Sequence, residues 1–375
     1  MTQTITEFRK EARSWLEANV PTEKSPPDGP ESRVYVLNWQ KTQAKGGWAG
    51  ISWPKEIGGR GLSTMEQIVW YEEYERAGAP STLNALFVAL NHAGPTVAAL
   101  GSPEQKAYYL PRILNGDSIW CQGFSEPGAG SDLAGLKCKG RVEGDELVVE
   151  GSKIWSSFAD VADTQELLIR TDPTAKTGQA LSWVICPMDA KGLKVRPIKT
   201  MAGPHKYCEV FYDSVRIPLK NIVGGLNNGW ATAMATLGFE RGTASLGLLI
   251  GFGIKAEKLL AECPKSRPQM RARLARLRAE GAAIRAMAYK FALDCETGVP
   301  DASGSLIRLS FAEYGKRVTA AAIDLHGIDA PESVGHHGWN HDYLDSFSET
   351  IAGGTAEIQR NIIGERLLGL PKGPR

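Results

Sequence analysis

The chain has little of what would mark it as a metal, secreted, membrane or nucleic-acid protein. Its 375 residues include only six cysteines and six histidines, and its formal net charge is +1. Cys121, Cys138, Cys186, Cys208, Cys263 and Cys295 form no C-x-x-C pair. Neither a zinc cluster nor a disulfide framework is therefore expected, and isolated buried thiols are. His336, His337 and His341 sit in a glycine-containing stretch without a cysteine or a matched set of carboxylates, so no metal site is expected there. Near-neutral charge offers no electrostatic footprint for nucleic acid or for an anionic membrane surface. No apolar run approaches the ~20 residues of a spanning helix. Glu7, Lys10, Glu11 and Arg13 interrupt the N-terminal stretch where a signal peptide would need an apolar core, and a cytoplasmic protein is the expectation. There is no internal repeat and no low-complexity tract.

What remains is ordinary globular material, 42% hydrophobic and 23% charged, in a chain long enough for two or three domains. Residues 1–118 read as helical. Ile5, Phe8, Ala12, Trp15, Leu16 and Val20 recur at helical spacing, and four prolines between Pro21 and Pro30 then predict a loop. Ser63 with Glu66 is a capping-box pattern, and Ser102-Pro103-Glu104-Gln105 is a fuller one. The helix it opens carries Tyr108, meets Pro111 as a kink or break, and stops by Asn115-Gly116. From Trp120 the period shortens. Val142 to Val149 is split by the turn pair Gly144-Asp145, and 166–170, 181–186 and 207–217 read as strands. Residues 119–225 are thus expected to form a small antiparallel β-domain. Beyond Gly225, the stretches 228–262, 268–297, 303–326 and 355–368 predict a four-helix bundle spanning 226–375. The fold class is α+β, mostly α: an N-terminal helical domain, a middle antiparallel β-domain and a C-terminal four-helix bundle.

Three separated motifs carry chemistry. Residues 120–132 read Trp-Cys-Gln-Gly-Phe-Ser-Glu-Pro-Gly-Ala-Gly-Ser-Asp, a strand running into a glycine-containing loop whose backbone N–H groups a ligand can approach closely. Lys153-Ile-Trp-Ser-Ser157 and Gly353-Gly-Thr-Ala-Glu-Ile-Gln-Arg360 follow. In this order and at these separations they resemble the acyl-CoA dehydrogenase family of flavoenzymes, over nearly the whole chain. The resemblance implies FAD as cofactor and an acyl-CoA thioester as substrate. It implies removal of an α-proton by a carboxylate and of a β-hydride by the flavin, with electrons passed to an electron-transfer flavoprotein.

The site residues implied are carried over position by position. Gln122, Phe124 and Ser125 match residues that hydrogen-bond the pyrimidine side of the isoalloxazine. Trp155 matches the aromatic packed on the ring, and Ser157 the hydroxyl near N5. Thr355 matches a residue near the thioester and the flavin phosphates. Ser131 matches a contact to the pantetheine end, and Gly353 and Gly354 lie beside the substrate. The family's catalytic glutamate occupies one of two places. At the first this chain has Gly353, which is no base. At the second, on the first long helix of the bundle, it reads Leu237-Gly-Phe-Glu240-Arg241. Glu240 is therefore the expected base, its apolar neighbours suiting it to general-base work by desolvation. Arg241 is expected to orient it and to serve the substrate side.

The chain departs from homotetrameric members in two places. It lacks the Arg-x-x-Phe-Gly run, and Asp324-Leu-His-Gly-Ile-Asp-Ala330 stands where a Gln-x-x-Gly-Gly-x-Gly run is usual. The segment Pro268-Gln-Met-Arg-Ala-Arg-Leu-Ala-Arg276 is instead similar to a bacterial branch acting on bulky acyl groups such as sterol side chains. Some members of that branch pair two different chains around each flavin. A homo-oligomer, or a heteromer with a second acyl-CoA dehydrogenase-like chain, is implied. Two other readings of the motifs are a non-catalytic or half-site subunit and an acyl-CoA oxidase.

Overall fold

In the computed structural model, residues 3–175, 180–240, 244–297, 303–327 and 338–373 are described, without the side chains of residues 204, 240, 244, 245 and 303. The elements in chain order are α1 (Ile5–Asn19), α2 (Pro30–Lys45), α3 (Thr64–Arg76), a π-turn (Ala89–Ala93), α4 (Gly94–Leu100) and α5 (Pro103–Leu114). Eight strands follow: β1 (Trp120–Gly123), β2 (Lys139–Glu143), β3 (Glu146–Ser157), β4 (Thr164–Arg170), β5 (Leu181–Pro187), β6 (Leu193–Thr200), β7 (Gly203–Pro218) and β8 (Ile222–Val223). The chain continues through α6 (Gly229–Glu240), α7 (Ala244–Glu262), α8 (Pro268–Glu296), α9 (Ser303–His326), α10 (Trp339–Ser346) and α11 (Ala356–Ile362). The fold class read from the sequence is the one observed.

Residues group into two compact units that do not follow chain order: 1–25, 61–82 and 241–375 in one, 26–60 and 83–240 in the other. In the first, α3 is buried along Gln67–Tyr74 because α1, α7 and α8 all pack on it. Its start is set by a capping box in which the Ser63 hydroxyl accepts from Glu66 N and the Glu66 carboxylate accepts from Ser63 N. Two buried acids on α3 are neutralised from its neighbours. Glu73 takes Arg9 and Arg13 of α1 at 2.6 and 2.7 Å, and Glu72 takes Arg9 at 2.7 Å and Arg285 of α8 at 2.5 Å. Helices α7, α8, α9 and α11 complete the bundle, with α10 against α9.

The second unit is built on one sheet, ordered β6-β7-β3-β2-β4-β5-β8, with β1 added on β4. The antiparallel expectation is corrected at two joints, because β1 pairs with β4 in parallel and β2 meets β4 in parallel at Lys139↔Arg170. A long loop separates β1 from β2, so β1 and β2 can both run alongside β4 without a tight hairpin. The β2–β3 hairpin turns at Gly144, φ +64°, as the Gly-Asp pair predicts. Strands β4 and β5 are buried at nearly every position because both faces are covered. Leu168, Leu181, Trp183 and Ile185 face a core shared with the π-turn, α4, α5 and α6; Leu167, Ile169, Val184 and Cys186 face a second core with β3 and β7.

Helix α6 lies on the first of these faces through Ala233 and Leu237. It starts at Gly229, where a β-carbon would fall 2.5 Å from the backbone of Ser182. The stretch expected as one helix over 228–262 is described as α6 and α7, with residues 241–243 outside the described part. Five cysteines are buried as expected, but Cys295 is exposed. Among the described residues no group of His, Cys, Asp and Glu could hold a metal ion, and no helix is long and apolar enough to cross a membrane.

Candidate active site

Strand β1 delivers the first motif. Its alternation puts Cys121 into the core behind the sheet, while Trp120, Gln122 and Phe124 point toward the helical side. The chain then leaves the sheet as a short turn in which Glu126 and Ala129 exchange backbone hydrogen bonds of 3.0 Å. Gly128 and Gly130 lie on its exposed tip, where an added β-carbon would meet nothing within 4 Å. Ser131 is exposed just beyond.

A buried cation fastens this segment to β3. Lys153 is fully buried; its Nζ donates to Phe124 O at 3.0 Å and to Glu126 Oε1 at 2.9 Å. Glu126 also accepts from Lys137 N at 2.6 Å and Cys138 N at 2.8 Å. Burial lowers the Lys153 pKa, while Cys138 and Glu126 oppose that drop. Ile154 N then donates to Ser125 O at 3.0 Å. The motifs at 120–132 and 153–157 are thus joined in the fold.

Trp155 follows on a β-bulge. Pairing with β7 runs Lys153↔Val210 and then Ser156↔Cys208, so β3 carries one extra residue. That residue adopts φ +61°, a left-handed backbone that costs an L-residue ~1–2 kcal/mol. Its indole remains 55% exposed, edge-on to Tyr207 at 6.0 Å. Strain spent to expose a large aromatic is a feature of binding surfaces. Ser157 sits two residues on, half-buried and paired with Tyr207.

Gln122 is held from behind. Its Nε2 donates to Glu166 Oε1 of β4 at 2.8 Å and lies 3.2 Å from His92 Nδ1 of the π-turn. Glu166 is fully buried and His92 4% exposed, with Nδ1 3.3 Å from the same carboxylate oxygen. These surroundings fit an isoalloxazine: a flat aromatic face at Trp155, a hydroxyl at Ser157, backbone at Phe124–Ser125 and an amide at Gln122.

The third motif belongs to the other unit. Gly353 and Gly354 are both left-handed, φ +61° and +89°, a path that favours glycine over a glutamate. Gln359 Nε2 donates to Gly353 O at 3.0 Å, and Arg308 Nη2 to Ala352 O at 2.9 Å. Thr355 caps α11, its hydroxyl accepting from Ile358 N at 3.2 Å. Glu240 is the last residue of α6; its side chain and the whole of Arg241 lie outside the described residues. Asp324 pairs with Arg273, and Arg267 donates to Leu325 O and Asp324 O at 2.7 and 3.0 Å. The rest of that segment, 328–330, lies outside the described residues.

Sequence reasoning assigned no role to Lys153, Glu126, His92 or Glu166. No local signal marked them, because β3 also carries Glu146, Glu150 and three serines, and β4 carries Thr164, Gln165 and Arg170.

A sheet with helices packed on one face and an exposed tryptophan on a strand bulge fits a flavoprotein dehydrogenase class. Comparison with known proteins gives the family. The N-terminal, middle and C-terminal domain profiles of acyl-CoA dehydrogenase match residues 2–117, 121–215 and 227–368. The chain belongs to the acyl-CoA dehydrogenase family, and is an FAD-dependent acyl-CoA dehydrogenase. It is 36% identical over 386 residues to acyl-CoA dehydrogenase IpdE1 of Mycobacterium tuberculosis, covering 99% of each chain. Acyl-CoA dehydrogenase FadE26 of the same organism is 34% identical, over 88% of this chain and 86% of the other. A solved structure described as the Tcur3481-Tcur3483 steroid ACAD superposes with a TM-score of 0.84 at 32% identity, over 98% of each chain. The ChsE4-ChsE5 complex from Mycobacterium tuberculosis does so with a TM-score of 0.81 at 29% identity, over all of each chain.

Proposed function

We propose that this chain dehydrogenates the α,β-bond of a bulky acyl-CoA thioester such as a sterol side chain, with Glu240 as base. The observation that carries the reading is the Trp155 bulge fastened to Ser125 by Ile154 N, in a chain similar throughout to a steroid ACAD. FAD, when bound, supplies the acceptor for the β-hydride. Trp155, Ser157, Phe124, Ser125 and Gln122 hold and orient its ring system. Glu240 takes the α-proton, and Gly353 leaves no second carboxylate to compete. Gly353, Gly354, Thr355 and Ser131 bind the thioester and pantetheine, and Arg241 orients the base. Electrons leave to an electron-transfer flavoprotein. The test is Glu240→Gln with FAD bound, mixed anaerobically with acyl-CoA thioesters of increasing bulk. Loss of flavin bleaching by ~10³-fold is expected. Bleaching at the parental rate would remove Glu240 from the chemistry, and hydrogen peroxide formation in air at the rate of dye reduction would make the enzyme an oxidase.

A half-site role in a heteromer is the second reading. Asp324, at the place of the family's glutamine, is bound to Arg273, and a partner chain then completes the phosphate side of each flavin. Two of the similar solved structures, the Tcur3481-Tcur3483 steroid ACAD and the ChsE4-ChsE5 complex, are named for two chains. Expressed alone, the chain is expected to purify with substoichiometric FAD. Full occupancy in a stable homo-oligomer would refute the heteromer.

A further inference from the structure

The fully buried Glu166 is unused by the mechanism above, and burying a carboxylate is expensive unless it does something there. Its Oε1 lies 2.8 Å from Gln122 Nε2 and 3.3 Å from His92 Nδ1. A carboxylate oxygen accepts and does not donate. A flipped Gln122 amide would set two acceptor oxygens at that 2.8 Å separation, so Glu166 leaves the carboxamide one orientation. Nε2 is committed to Glu166, which leaves Oε1 as the edge of the amide for a ligand to meet. Gln122 itself is half-buried and stands on β1 two residues before Phe124. Thr96 anchors the same corner from α4, donating to His92 O at 2.7 Å and meeting Thr236 of α6 at 2.9 Å.

We infer that Glu166 is a positioning residue that fixes the Gln122 amide with its acceptor oxygen toward the pyrimidine N–H of the flavin ring. The inference rests on the reading of Gln122 as a cofactor contact. The effect of Glu166 on FAD runs through the Gln122 amide, so that effect must disappear when the amide is gone.

A double-variant cycle on the full chain tests this, read by FAD dissociation constant and by the visible spectrum of the bound flavin, with no turnover required. Glu166→Gln admits the flipped amide and is expected to weaken FAD binding about fivefold, the worth of one hydrogen bond. Gln122→Leu is expected to weaken it as much or more. Gln122→Leu with Glu166→Leu is expected to match Gln122→Leu alone in both affinity and spectrum. Should Glu166→Gln fail to fold, Glu166→Asp, which stays acceptor-only, supplies that corner and is expected to bind FAD more tightly than the Glu166→Leu single variant. Unchanged FAD affinity in Gln122→Leu would sink the cofactor role of Gln122 and this inference with it. A weakened Gln122→Leu beside an unaffected Glu166→Gln, or a Glu166 effect persisting without the amide, would overturn the positioning role and leave the Gln122 contact standing.

Discussion

Lys153→Met is the perturbation with the most direct consequences. Methionine keeps the length and apolar stem of the lysine in a site where nothing is exposed, so the loss is confined to the ammonium. Two hydrogen bonds go with it, to Phe124 O at 3.0 Å and Glu126 Oε1 at 2.9 Å. Breaking a buried ion pair from one side costs ~3–5 kcal/mol. Glu126 keeps its bonds from Lys137 N and Cys138 N, which places the cost at the lower end, about 3 kcal/mol. For a unit of this size that lowers the melting temperature by about 6–12 °C. FAD affinity should fall as well, because Phe124 and Ser125 lose one of their two ties to β3. The assay pairs thermal melting of the FAD-free protein with FAD titration followed by fluorescence. A melting temperature within about 1 °C of the parent, or a loss of stability with no loss of FAD affinity, would refute the argument that this cation holds the cofactor loop.

Two further outcomes follow from the same reasoning. Glu75 on α3 lies against Gly251 of α7, where an added β-carbon would come within 2.8 Å of its carboxylate, and burial pushes its pKa up to about 7 despite Lys255 and Lys258. A carboxyl raised in the fold binds more protons there than in the unfolded chain between pH 4.5 and about 7, so stability falls as pH rises through that window and then levels, by about 3 kcal/mol in all. Glu75→Gln should flatten the profile and raise stability at pH 8; urea melts from pH 5 to 8 that keep the parental slope would remove Glu75 as its cause. Trp155→Gly relieves a left-handed backbone while giving up a side chain already 55% exposed. Apoprotein melting should hold or rise while FAD binding weakens about tenfold; the reverse pattern would make Trp155 an ordinary surface residue.

What the sequence disclosed was local. The capping boxes at Ser63 and Ser102 are observed because cap, first turn and N3 partner lie within four residues, and Gly144 turns its hairpin for the same reason. The four prolines between 21 and 30 hid α2, since Pro30 opens that helix at a position where its missing N–H costs nothing. Strand β6 escaped because it is a sheet edge, where Lys194, Arg196, Pro197 and Lys199 are tolerated and blur the alternation. The placement of α6 with the sheet could not be read at all, being decided by Gly229 against Ser182 across 47 residues. At the site, the family resemblance and the motifs that carry it supplied the aromatic, the hydroxyl and the amide as expectations. They did not show the bulge that exposes Trp155 or the pairing of His92 with Glu166, 74 residues apart.

The buried charges of the two units answer to different demands. Glu72 and Glu73 are ringed by arginines that keep one flank in solvent, so their ion pairs tie α1, α3 and α8 at modest desolvation cost. Lys153 and Glu166 are instead fully buried within the sheet unit. Stability alone would be served as well by replacing each buried charge together with its partner by apolar residues. Both instead lie directly behind residues of the expected ring-binding surface, Lys153 behind Phe124 and Glu166 behind Gln122. Each carries hydrogen bonds of fixed polarity that an apolar residue could not direct. The simplest physical account is that stability in the sheet unit is given up where the orientation of a proposed cofactor contact has to be single-valued.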